Sequence, residues 1–152
     1  MSAVWAGVNS LAFSAARPIV NYEAEASSSV LSGKAHVVAC SVCSGGMAVA
    51  GVAEPGSGPT GGLLTITNVA SAGPVNAALN IYYQHSEVSP ITGAVVVNGV
   101  TNLVSFPPVP SDAISPSKLL VIVPGANIGT VTITGVKGTA ASAFTIDRIT
   151  VQ

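Results

Sequence analysis

Tyr22-Glu23-Ala24-Glu25 sets two carboxylates two residues apart, and in an extended strand such a pair points to one face. The chain has only 6 Asp and Glu in 152 residues, so a same-face pair stands out. The two charges repel unless something neutralises them. The other acidic residue inside a well-patterned strand segment is Asp147, at the far end of the chain. Pairing the first and last strands would bring it beside Glu23 and Glu25. Two readings follow. A hard cation such as calcium would gather these carboxylates with backbone carbonyl oxygens. Alternatively, the glutamates are an exposed pair that keeps an edge strand from pairing with other chains.

The same carboxylates make poor glycosidase machinery. That chemistry needs an acid and a base or nucleophile flanking a sugar bond, whereas Glu23 and Glu25 would project in parallel from one strand. His36 and His85 have no nucleophile motif such as GxSxG near them and read as loop or strand-surface residues. No catalytic constellation is visible, and the expectation is a protein that is not an enzyme.

Cys40 and Cys43 are the only cysteines. Zinc would need further ligands, and only His36 is close. A redox CxxC should open a helix, which Gly45-Gly46 opposes. In an exported protein the pair reads as a local disulfide stiffening its loop.

β-Branched alternation broken by Gly, Pro, Asn and Ser runs from about residue 20 to the end. Strands are expected near 20–25, 35–39, 46–52, 62–68, 76–83, 93–98, 101–106, 117–123, 129–135 and 143–151. Leu79, Ile81 and Tyr83 alternate with Ala78, Asn80 and Tyr82. Asn98-Gly99 is a two-residue hairpin signal, because a type I′ turn needs positive φ at both positions. The segments 54–62 and 106–111 are rich in Gly or Pro and read as loops. Many short strands without helical periodicity imply an all-β, antiparallel β-sandwich or jelly roll. Residues 1–19 are weakly patterned and read as an extension, a linker remnant or an added edge strand. Trp5 lies there.

Charged residues make up only 7% of the chain and the formal net charge is −1. That balance gives no footprint for nucleic acid or an anionic membrane surface. Mean hydropathy is +0.63, yet apolar runs such as 119–123 are strand-sized, so no membrane insertion is expected. The first residues lack a basic start followed by a continuous apolar segment. Export would therefore use a signal that has been removed or lies upstream. So few charges also leave flat uncharged surface, and self-association into oligomers or filaments is the alternative to a binding role.

The motifs YEAEASSSVLSGKA, ACSVCSGG, GGLLTITNV, SAGPVNAALNIYY, VVVNGV, LLVIVPGANIGTVTITG and FTIDRITV occur in this order. Together they resemble carbohydrate-binding module family 35, relatives of family 6, across roughly residues 20–152. Such modules are commonly appended to secreted glycoside hydrolases. The resemblance implies an extracellular, non-catalytic jelly roll that binds a polysaccharide or oligosaccharide, with galactose-containing polymers among the candidates. It also implies a structural calcium ion held by Glu23, Glu25 and Asp147, joined by a backbone carbonyl near Met47. Sugars in this superfamily sit in a loop-lined cleft, with aromatic rings stacked on the pyranose and a polar residue before the terminal ID pair. Here that polar residue is Thr145. The aromatic expected after SGG falls near Gly51, and the tryptophan expected around 106–112 is replaced by Phe106 and three prolines. The candidate sugar contacts are then Tyr82, His85, Phe106 and Thr145, with Glu87 beside them.

Overall fold

The computed structural model describes residues 18–53, 61–70, 76–110, 113–124, 128–136 and 143–152. Most of the expected extension 1–19, Trp5 included, and most of the loop 54–62 lie outside them. Eleven strands form among the described residues: β1 Val20–Glu23, β2 Ser29–Ser32, β3 His36–Ala39, β4 Met47–Val52, β5 Leu63–Thr67 and β6 Asn76–Gln84. These are followed by β7 Ile91–Val97, β8 Val100–Phe106, β9 Ser117–Pro124, β10 Thr130–Gly135 and β11 Phe144–Val151. Two antiparallel sheets result. One has the order β3-β4-β11-β6-β9 with β1 also paired to β11, and the other has β2-β5-β10-β7-β8.

Period-two alternation explains why the sheets stack. On β6 the side chains of Ala77, Leu79, Ile81 and Tyr83 are buried, while Ala78, Asn80 and Tyr82 are half-exposed. Leu64 and Ile66 on β5, Val95 and Val97 on β7, and Val131 and Ile133 on β10 face them from the other sheet. The chain ends meet, with β1 antiparallel to β11 in the register Val20↔Val151 to Glu23↔Arg148.

Two expectations need correction. The strand expected over 20–25 stops at Glu23, and Ala24 and Glu25 form a turn. The edge strand β2 was not expected: its four residues, SVLS, sit between polar and Gly-containing segments and carry too short an alternation to stand out.

The hairpin between β7 and β8 turns on Asn98 and Gly99, with φ of 48° and 81°. Asn98 Oδ1 also accepts hydrogen bonds from the N–H groups of Gly129 and Thr130, both at 3.1 Å. Asn98→Ala would leave both donors without that acceptor and put a Cβ-bearing residue with no compensating side chain at positive φ. Its expected cost is about 1–3 kcal/mol in urea unfolding.

Candidate functional site

The carboxylate cluster is assembled from a strand end, a turn and a bulge. Ile146 pairs with Tyr83 and Arg148 with Tyr82, so Asp147 is an extra residue on β11 relative to β6. The bulge resets the alternation, which lets Ile146 and Ile149, three apart, both enter the core. It also leaves Asp147 only 1% exposed. The N–H of Ala24 bonds the carbonyl of Asp147 at 3.0 Å and ties the first turn to this bulge.

The Ser44–Gly46 3₁₀ turn closes the cluster. Ser44 donates its N–H to Asp147 Oδ1 at 2.9 Å and its hydroxyl to Glu23 Oε1 at 2.8 Å. Arg148 Nη1 donates to Asp147 Oδ2 at 2.9 Å. Gly45 lies so close that a Cβ there would stand 3.3 Å from Glu25 Oε1. Two oxygens are left over. Glu23 Oε2 and Glu25 Oε2 are buried and have no hydrogen-bond partner. Burial pushes the Glu25 carboxyl above its ordinary range; its backbone hydrogen bond opposes this, and the charges of Glu23 and Asp147 add to it. Burial likewise raises Asp147, against the pull of Arg148 and the Ser44 N–H, with Glu23 pushing further upward.

Three mutually repelling carboxylates with two unpartnered buried oxygens call for positive charge. Among the described residues, no three His, Cys, Asp or Glu side chains stand together in an arrangement that could by itself hold a metal ion. Met47 follows the turn as the first residue of β4. Ser44, which bridges Glu23 to Asp147, and Arg148 were not singled out from the sequence. The three-residue spacing of Ile146 and Ile149 was a readable signal of the bulge. Beside the turn, Cys40 and Cys43 are joined by a disulfide.

A second feature is a cleft of ≈ 670 Å³ between the β6–β7 connection, the segment after β8, and the start of β11. His85 and Thr145 line it together with Gln84, Glu87 and the Pro108–Pro110 wall. His85 Nε2 donates to the carbonyls of Phe106 at 3.1 Å and Pro107 at 2.8 Å, which makes it the protonated ring nitrogen. Tyr83 donates its hydroxyl to the same Pro107 carbonyl at 2.8 Å. The wall is thereby pinned to β6.

The other two expected sugar contacts lie elsewhere. Phe106 is a correction: it is fully buried, stacked on Phe144 at 4.5 Å and edge-on to Tyr83 at 5.0 Å. Strand alternation turns its ring inward, where it cannot meet a sugar. Tyr82 lies on the outer face of its sheet with the Arg148 guanidinium 4.1 Å above its ring, away from the cleft. No aromatic side chain lines the cleft among the described residues apart from the imidazole of His85. Gly51 could not restore one: it has φ 72°, and a Cβ there would lie 2.2 Å from the Lys34 carbonyl oxygen.

No protein-family model matches the sequence, and no curated protein matches it. Solved structures do. A family 35 carbohydrate binding module from Clostridium thermocellum superposes with a TM-score of 0.65 at 23% identity, over 87% of this chain and 97% of that one. The CBM35 from Paenibacillus barcinonensis gives 0.67 at 17% identity, over 88% and 98%. An exo-beta-1,3-galactanase from Phanerochaete chrysosporium, in complex with galactose, gives 0.71 at 26% identity over 89% of this chain. This chain spans 29% of that galactanase. The fold is therefore that of a family 35 carbohydrate-binding module.

Proposed function

We propose that this domain is a non-catalytic carbohydrate-binding module of an extracellular protein, with a calcium ion as a structural element. The observation that carries the sugar reading is the cleft lined by His85, Glu87 and Thr145, on a fold that two stand-alone modules share over nearly their whole length. A non-catalytic role is supported by the placement of the carboxylates. Glu23, Glu25 and Asp147 gather at one turn, whereas the glycosidase reaction needs two carboxylates flanking a bond. Galactose-containing polymers come first as ligands, since a galactanase with galactose bound is among the structures with this fold. No helix among the described residues is long and apolar enough to cross a membrane.

Glu23, Glu25 and Asp147, with a backbone carbonyl near Met47, are the groups that would hold calcium. They fit an oxygen-preferring cation because two of their buried oxygens have no other partner. The ion would supply compensating charge between the two chain ends and no Lewis-acid step.

Affinity electrophoresis in gels containing β-1,3-galactan, arabinogalactan, mannan or xylan, with calcium present, tests the sugar reading. Retardation by a galactose-containing polymer is expected. Thr145→Val removes one hydroxyl with little change in volume and should weaken binding about tenfold, the net worth of one hydrogen bond. Migration unaffected by every polymer would overturn the assignment.

A further inference from the structure

Among the described residues, the outer edge of β8 has none of the features that usually protect an exposed strand. The other outer strands are short or carry charge: β2 and β3 have four residues each, β1 carries Glu23, and β9 carries Lys118 and ends at Pro124. β8 is seven residues long, VTNLVSF, without proline or an ionisable group. Its Leu103 is 66% exposed and its Val100 60%. The whole sheet shares this character, for β2, β5, β7, β8 and β10 contain no Asp, Glu, Lys, Arg or His.

Ladder parity shows which backbone groups are unpaired. The Asn98 N–H bonds the Thr130 carbonyl, so alternate residues Asn98, Val96 and Ala94 use their backbone toward β10. The intervening Val97, Val95, Gly93 and Ile91 bond to Val100, Asn102, Val104 and Phe106. The N–H and C=O groups of Thr101, Leu103 and Ser105 then point away from the sheet. Their side chains, all exposed, share its outer face.

We infer that this edge pairs with the same edge of a second copy, about a two-fold axis through Leu103. Antiparallel pairing in that register sets Leu103 against its own copy and Thr101 against Ser105 of the partner subunit. It pairs all three outward residues and joins two five-stranded sheets into one of ten strands. No charge of either strand meets its like at the axis, which makes a second copy an acceptable partner. One strand edge, about 24 Å long, covers less than the roughly 800 Å² per partner of a standard stable interface. The dimer is therefore weak and concentration-dependent. The inference is independent of sugar and calcium binding.

Sedimentation equilibrium over a micromolar-to-millimolar range is the test. Wild type should show a monomer–dimer equilibrium. Leu103→Lys puts two ammonium groups at the axis from an exposed position and should weaken association at least tenfold, whereas Leu120→Lys on β9 should leave it unchanged. The register is read by cysteines. Paired Cα atoms of this ladder class are about 5.5 Å apart, within disulfide reach, so Leu103→Cys should form a covalent dimer under mild oxidation. Thr101→Cys should not, because its two copies would be offset by about 14 Å along the strand. A monomer at every concentration, an association insensitive to Leu103→Lys or abolished by Leu120→Lys, or equal cross-linking of both cysteine variants would overturn the inference.

Discussion

Phe106→Ala is expected to lower the unfolding free energy by about 3–5 kcal/mol, the range for truncating a buried phenylalanine. For a domain of this size that corresponds to a melting temperature lower by on the order of 10 °C. The ring is fully buried and touches both Phe144 and Tyr83, so its removal opens a cavity bordered by two aromatic faces. Gly93 leaves no slack to fill it: the fold gives this ring its space by omitting a side chain there, since a Cβ on Gly93 would stand 2.7 Å from Phe106 Cε2. Thermal denaturation separates the two roles considered for this residue. A sugar platform would lose affinity and keep its melting temperature. A core residue loses stability first, and a melting temperature within a degree of wild type would refute the core assignment. Sugar affinity is expected to fall as well, because the adjoining Pro107 carbonyl anchors the cleft wall through Tyr83 and His85.

Phe106 shows where the sequence stops being readable. Period two over Val100–Phe106 points it inward, yet it also borders a run of prolines where a binding loop was expected. Motif position made it a candidate sugar contact, and its packing against Gly93 and Phe144 places it in the core instead. The sheet framework was far more legible: the hairpin at Asn98-Gly99 and the alternation on β6 needed only local rules. The acidic residues at both chain ends suggested a pairing of the first and last strands, and β1 does pair with β11. What local rules could not give was the route by which Glu25 reaches the cluster. Same-face alternation on one strand was the expected device, whereas the chain leaves the strand at Glu23 and a turn presents Glu25. Ser44 was invisible for a related reason: its two hydrogen bonds reach 21 and 103 residues away, and nothing in a local window predicts them.

The calcium proposal makes a prediction whose sign reverses between two conditions. Wild-type protein is expected to melt lower in chelator than in calcium. With free ion at a hundred times its dissociation constant, the difference is about 2.7 kcal/mol, or roughly 5–10 °C for a chain of this length. Glu25→Gln should remove most of that response, since it deletes one of the two unpartnered carboxylate oxygens. In chelator the same variant should be at least as stable as wild type. The raised Glu25 carboxyl reports that burial and the charges of Glu23 and Asp147 disfavour its ionised form in the folded protein, and glutamine removes that penalty near neutral pH. A carboxylate that served only the fold would behave differently, with its amide variant less stable in both conditions. Asp147→Asn is a less clean probe, because Asp147 also accepts from Ser44 and Arg148 and its loss disturbs the turn as well as the charge. Scanning calorimetry of wild type and Glu25→Gln, each with calcium and with chelator, gives all four values. Identical wild-type melting with and without chelator would remove the ion from the account. A Glu25→Gln protein as calcium-responsive as wild type would move the ion away from this cluster.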